Sequence, residues 1–235
     1  IEELTRRIEE AKGLRLAAQK ETETIMPSAL HEIFSHGEKE GWEVKQLRDA
    51  TLLAETLDPR KRSEASFKYI DISSVDNVDF RIVSYKEYKG SDAPSRARKI
   101  VKTDDVLFAT TRPYLRNVAI VPQELDGEIC STGFCVLRSN GLADPRWIFV
   151  LARSDMFVDQ VVKVMRGAAY PAVTDRDILA VEIPLPPLSA QHRIVAYLDQ
   201  LQARVGELRC LQQETQKEIN SVTSTVLDKA FRGEL

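Results

Sequence analysis

A heptad ladder near the C-terminus constrains this chain more than any other feature. Between Arg193 and Arg232, the residues Ile194, Leu198, Leu201, Val205 and Leu208 step by four, three, four and three. After a polar interruption at Gln212 the ladder resumes at Thr215, Ile219, Val222 and Val226. Apolar residues so spaced line one stripe of an α-helix, here about 39 residues or roughly 58 Å at 1.5 Å per residue. No proline interrupts the run, and Gly233 stands where a helix stop is expected.

The N-terminus carries the same element again. At an offset of 197 positions, Leu4 falls on Leu201, Ile8 on Val205, Ala11 on Leu208, Leu14 on Leu211, Ile25 on Val222 and Phe34 on Phe231. Gln19-Lys20-Glu21 falls on Gln216-Lys217-Glu218, an identity that hydrophobic period does not require. The order is helix, insert, helix. A lone heptad helix leaves its stripe in water, so the two are expected to pack as an antiparallel coiled-coil pair. The seam would hold Leu4, Ile8, Ala11 and Ile25 on the first helix. On the second it would hold Leu198, Leu201, Val205, Leu208, Ile219, Val222 and Val226. The competing reading is two unrelated amphipathic helices on separate faces of the insert.

The 235 residues suffice for one large domain with appendages, and 43% hydrophobic content supports a core. No apolar run approaches the roughly 20 residues of a membrane span. Three cysteines, Cys130, Cys135 and Cys210, have no metal spacing, and a reducing compartment, the cytoplasm, is expected. His31, His36 and His192 form no ligand pair. Residues 38–188 hold 22 Lys and Arg against 23 Asp and Glu, so bulk charge does not point to nucleic acid and any such case rests on local patches. The chain opens at Ile1 in mid-heptad, which reads as a processed form or a fragment.

Within the insert, residues 35–41 are expected to break the first helix. Strands are expected at Trp42–Leu47, Phe67–Ile72, Phe80–Val83, Asp105–Ala109, Asn117–Val121, Ile129–Leu137 and Val181–Ile183. Helices are expected at Arg146–Arg153 and Met156–Met165, and residues 58–66, 90–95, 110–114 and 166–176 read as loops. Pro184, Pro186 and Pro187 form a stiff joint into the second long helix. The fold class is therefore α+β, a mixed-strand domain flanked by two long helices.

These motifs together resemble the DNA-specificity subunit of Type I restriction–modification systems. Gly41-Trp-Glu-Val-Lys-Gln-Leu47 looks like the start of one of that family's target-recognition domains. Asp105-Val-Leu-Phe, Asn117-Val-Ala-Ile-Val and Ser131-Thr-Gly-Phe are similar to its internal strands. Ile183-Pro-Leu-Pro-Pro-Leu-Ser-Ala-Gln-His-Arg-Ile-Val195 is similar to its exit into a long helix, and Leu227–Leu235 to its C-terminal ending. Two departures stand out: Asp104 replaces a frequent Gly, and Ala190 a frequent acidic residue. The resemblance implies a helix over 1–36, a target-recognition domain over 37–188 and a second long helix over 189–235. Such a chain is the C-terminal half of a subunit or a natural half-subunit that forms a homodimer.

The implied function is non-catalytic. One domain reads half of a bipartite target in double-stranded DNA, while the helices act as a spacer and dock methyltransferase (modification) subunits, with restriction subunits as further partners. S-adenosylmethionine would sit on the methyltransferase, not on this chain. Reading bases needs side chains at base edges, positioned by contacts to phosphates. Arg96, Arg98, Lys99 and Lys102 are candidates for phosphates, and Arg60, Lys61 and Arg62 form a second basic loop. Thr110, Thr111, Arg112, Tyr114, Arg116 and Asn117 are candidates for bases: Arg112 and Arg116 for guanine, Asn117 for adenine. Arg166 and Tyr170 lie in the loop before the proline joint.

Catalytic readings find little. There is no Asn/Asp-Pro-Pro-aromatic motif and no phosphate loop of the Gly-x4-Gly-Lys type. A metal-dependent nuclease can be assembled only from Asp79, Glu87 and Lys89, a spacing common by chance when 29% of residues are charged. The alternative from another class is a protein-interaction scaffold without DNA readout.

Overall fold

The chain divides into two units, and most of the buried apolar residues lie in the second. The computed structural model describes residues 2–167 and 169–233. A helical unit comprises the chain up to Ser35 and from Ala196 onward, and an insert spans His36–Val195. In chain order the elements are α1 (Glu2–Lys39), β1 (Glu43–Gln46), β2 (Thr51–Leu52), β3 (Ser66–Ile70), β4 (Val75–Asp76), β5 (Arg81–Ile82), β6 (Lys86–Lys89) and β7 (Ala97–Ile100). There follow β8 (Val106–Ala109), β9 (Val118–Ile120), β10 (Ile129–Ser131), β11 (Phe134–Ser139), α2 (Pro145–Arg153), α3 (Asp155–Lys163), α4 (Asp175–Leu179), β12 (Glu182–Leu185) and α5 (Leu188–Phe231). No helix among the described residues is long and apolar enough to cross a membrane.

In the helical unit α1 and α5 run antiparallel and meet along their stripes. On α5 the innermost row is Leu198, Val205 and Gln212, which are buried, and Ile219 and Val226, which are half-buried, one residue every heptad, with Gln212 at its centre. The Gln212 amide donates to the Ala18 carbonyl at 3.1 Å and to Thr22 Oγ1 at 2.8 Å. The expected polar interruption is thus the best-anchored point of the seam. It also corrects the seam's second row. Gln202, Arg209, Gln216 and Thr223 flank the innermost row, whereas Leu208 and Val222 are 43% and 50% exposed. With Gln212 held facing α1, α5 is rotated so that the positions three residues before and four after it turn inward. Leu208, four before, turns out. On α1, Ile8, Ala11, Ala18, Thr22 and Ile25 line the contact, and Leu4 at its end is exposed. α1 also runs through Pro27, which has no N–H to donate along the helix.

The expected break at residues 35–41 comes late. α1 continues to Lys39 and turns at Gly41, whose φ of +69° suits glycine at a helix stop. Gly37 is compulsory for another reason: a Cβ there would lie 2.3 Å from the Trp42 indole.

The insert is closed by β1 pairing antiparallel with β12, so its first and last strands form one ribbon. Above it stand two four-stranded sheets, ordered β6-β3-β10-β7 and β2-β11-β8-β9. Ile129–Leu137, expected as one strand, is two. The chain breaks at Thr132-Gly133, β10 joining the first sheet and β11 the second. Between the sheets pack Ile70, Val101, Leu107, Val121, Cys130 and Phe134. The other face of the second sheet is covered by α2 and α3, with Phe108 edge-on to Phe157 at 5.4 Å. Full burial of such a side chain contributes about 1.5–3 kcal/mol. Covered on both faces, β8 reads as the uninterrupted apolar run Val-Leu-Phe-Ala. Before it, Asp104 has φ +68°, the left-handed conformation that makes glycine the easier residue at this place. Asp105, fully buried, takes two hydrogen bonds from Arg138 at 2.9 and 2.7 Å.

Gln191 at the proline joint is also buried. Its oxygen accepts from the Asp144 N–H, and its nitrogen donates to the Leu142 and Pro186 carbonyls. The neighbouring Ala190 leaves that network intact.

Candidate nucleic-acid interface

Two loops far apart in the chain are zipped together at one rim of the insert. After β8, Thr110 donates its N–H and its hydroxyl to the Gly133 carbonyl and accepts the Val173 N–H on its own carbonyl. Arg112 N–H donates to the Pro171 carbonyl at 2.8 Å. Arg166 and Ala172 exchange N–H to carbonyl bonds at 2.9 Å each, closing the second loop on itself. Gly167, at φ +94°, permits that closure, since a Cβ would stand 2.8 Å from the Tyr170 carbonyl. Ala168 lies outside the described residues.

The first loop is a 3-10 turn, Pro113–Leu115, bracketed by Arg112 at φ +48° and Arg116 at φ +53°. Two non-glycine residues in the left-handed region cost roughly 1–2 kcal/mol each, and such conformations persist only where the surroundings dictate them. Here Pro171 holds one side of the turn. On the other, the Asn77 side chain donates to the Leu115 carbonyl at 2.9 Å. A third loop, the turn between β4 and β5, thereby joins the rim, although nothing in its sequence marks it.

The expected contact residues divide sharply. Arg112 is exposed, and among the described residues no ion pair or side-chain hydrogen bond holds its guanidinium. Tyr114 and Tyr170 beside it are 47% and 79% exposed. Arg166 is exposed, with Asp177 at 3.6 Å, and Thr111 is half-buried, paired with Ala172. These five are brought together. Thr110, by contrast, is buried and its hydroxyl is committed to Gly133. Arg116 is half-buried and committed, donating to the Arg153 carbonyl at 3.2 Å and pairing with Asp155 at the surface. Asn117 is half-buried, its carbonyl accepting from the Ala109 N–H.

The basic cluster 96–102 is likewise split by its backbone, because residues 97–100 form strand β7. Lys99 points inward, donating to the Phe134 carbonyl at 2.6 Å and pairing with Asp175. Arg98 donates to the Ala97 carbonyl and lies 3.5 Å from Asp58. Lys102 pairs with Glu55 at 3.2 Å on the surface. Among the described residues, Arg96 is the one of the four that is exposed without an ion pair. Its carbonyl accepts from Thr132 N–H, which places it one residue from the Gly133 that carries Thr110. In the other basic loop Arg60 is paired with Asp58, whose carboxylate it holds below the usual range, while Lys61 and Arg62 are exposed. That loop is pinned from behind by Gly90, where a Cβ would meet the Arg62 carbonyl at 2.2 Å.

Among the described residues the rim offers cations, phenols and hydroxyls. Burial pushes the Cys130 thiol up to about 12 and the Cys135 thiol further still, so both stay protonated. Among the described residues no three His, Cys, Asp or Glu side chains are grouped to hold a metal ion. The arrangement is suited to non-covalent recognition of an anionic polymer with hydrogen-bonding edges.

A family model described as the Type I restriction modification DNA specificity domain matches residues 39–220. Among curated proteins, the Type I restriction enzyme EcoDI specificity subunit of Escherichia coli is 28% identical over 144 residues, covering 61% of this chain and 31% of that protein. The HindI specificity subunit of Haemophilus influenzae is 24% identical over 144 residues, covering 60% and 30%. Among solved structures, the HsdS subunit from Thermoanaerobacter tengcongensis is 49% identical with a TM-score of 0.72, covering 80% of this chain and 49% of that one. A second structure, reported for complex assembly and conformational transition of the Type I R-M system, has the same identity and coverage and a TM-score of 0.76. The chain thus spans about a third of the length of these curated relatives and half that of the solved chains.

Proposed function

We infer function from one premise: this chain belongs to the Type I restriction modification DNA specificity family. We propose that its insert reads one half of a bipartite double-stranded DNA target and has no catalytic role. Methylation and cleavage then reside in partner methyltransferase and restriction subunits, and S-adenosylmethionine binds the methyltransferase. The observation that carries this reading is the zipped pair of loops, which presents Arg112, Tyr114, Arg166 and Tyr170 on one rim while the neighbouring Lys99 and Arg116 are held in ion pairs.

The helices supply the second half of the proposal. At 1.5 Å per residue, α1 and α5 are rods of roughly 57 and 66 Å. They hold this insert at a set distance from a second recognition domain, supplied by a longer chain or by a second copy. Leu14 and Leu211, equivalent in the internal repeat, are both exposed and off the seam. The pair therefore offers the same apolar feature twice, as docking two copies of a methyltransferase subunit requires.

The test is selection from randomised duplex oligonucleotides by the assembly of this chain with its methyltransferase subunits, at two salt concentrations. One bipartite sequence class should be enriched, and binding should weaken steeply as salt rises, through counterion release. Absence of any enriched sequence from the assembled complex would refute the recognition role.

A further inference from the structure

We propose that Arg112 is the specificity-determining residue of the rim and that it reads a guanine in the major groove. The inference rests on the recognition function proposed above and goes further by naming one residue and one base. Three observations carry it.

First, Arg112 is the member of the base-contact group whose cation is, among the described residues, uncommitted. Arg116, four residues on, is paired with Asp155 and the Arg153 carbonyl, so of the two arginines suited to guanine only one is available. Second, the backbone of Arg112 is held on both sides. Its N–H is bound by Pro171, its carbonyl accepts the Leu115 N–H, and its φ of +48° is one that arginine adopts only under constraint. A phosphate contact needs no such constraint, because a flexible side chain reaches a phosphate from many directions. A bidentate contact to O6 and N7 of one guanine needs the guanidinium plane aimed along the base edge, and that aim originates in the backbone. Third, the flanking Tyr114 and Tyr170 are exposed aromatic residues with hydroxyl tips. Being neutral, they could cover a groove contact once DNA is bound, without adding cations that would slide along the phosphates. The cationic neighbour on the same rim, Arg166, lies 3.6 Å from Asp177 and is placed to touch a phosphate.

Glycine takes a φ of +48° freely, so Arg112→Gly removes the guanidinium while keeping the loop. Arg112→Lys keeps the charge and removes the bidentate fork. Both variants would be assembled with the methyltransferase subunits and put through the duplex selection, alongside thermal melting. The expected result is a guanine at one position of the wild-type target. Arg112→Gly should lose preference there by about 10- to 100-fold with other positions unchanged, and Arg112→Lys should not restore it. Melting should be unchanged or raised for Arg112→Gly. Uniform weakening over all sequences, with a salt slope reduced by about one and rescue by lysine, would make Arg112 a phosphate contact and overturn the assignment while leaving the recognition role standing. An unchanged preference in both variants would also overturn it. A wild-type assembly that selects no sequence removes the recognition role itself.

Discussion

The helical pair and the rim of the insert solve opposite problems with the same residue types. In the pair, a polar residue is drawn inward: Gln212 sits at the centre of an apolar seam, its amide shared between Ala18 and Thr22. At the rim, Arg116 and the neighbouring Lys99 are held in ion pairs, while among the described residues Arg112 has none. A buried hydrogen bond between helices contributes little net stability, but it penalises every register in which its partners separate. An exposed guanidinium on a strained backbone contributes nothing to stability and costs some. The first feature selects one register of the pair, and the second leaves a cation exposed. Position along the chain distinguishes neither; the partner found in space does.

The largest test of this contrast lies in the seam. Val205→Asp places a charge at a buried heptad position and should destabilise the helical unit by about 3–5 kcal/mol. Leu208→Glu, expected at the seam by periodicity but exposed, should change stability by no more than about 0.5 kcal/mol. Helical melting of the two variants separates them, and equal losses would break the observed rotation of α5. Next in size is Asp104→Gly in the insert. Relieving the left-handed backbone should raise stability by about 1 kcal/mol, seen as a rise of a few degrees in Tm.

Gln212→Leu should move stability by less than about 1 kcal/mol in either direction, since an apolar side chain replaces two hydrogen bonds. It should nonetheless broaden the set of associated states resolved by light scattering, because the register is no longer specified. If the variant remains as uniform as the wild type, Gln212 is not a register device.

The smallest effect is on acidity at the rim. The Thr174 N–H and hydroxyl hold Asp177 below the usual carboxylate range. A depressed carboxylate stabilises the fold above its unfolded value, about 3.8, and that contribution is lost as pH falls through the lower folded value. Protection of the Thr174 amide, taken relative to its intrinsic exchange rate at each pH, should therefore fall on acidification below about pH 4, before the sheets open. Protection that stays constant to global unfolding would contradict the cap's role in holding the second loop.

Legibility in the sequence follows the range of the interactions. Heptad spacing marks both long helices and their repeat, because a helix brings residues three and four apart together whatever surrounds it. The proline joint, the buried β8 and the three cysteines without metal spacing are similarly local. The departure at Asp104 was visible as an unusual residue, and its left-handed φ supplies the reason. Less was legible where a partner lies far off in sequence. Ile129–Leu137 alternates well enough for one strand, but Gly133 divides it between two sheets. Residues 96–102 read as a basic patch, yet their strand geometry sends Lys99 inward to Asp175, 76 positions away.

What the sequence alone determined is thus the α+β plan: two matching helices, an insert of short strands and a stock of basic and aromatic loop residues. Which face of α5 meets α1, and which of those loop residues is free to touch a ligand, only the tertiary structure decided. Periodicity specifies a stripe to within a residue, but a buried hydrogen bond such as that of Gln212 selects the rotation. Likewise, an arginine's charge is the same at positions 112 and 116, and only the packing of α3 places a carboxylate beside the second.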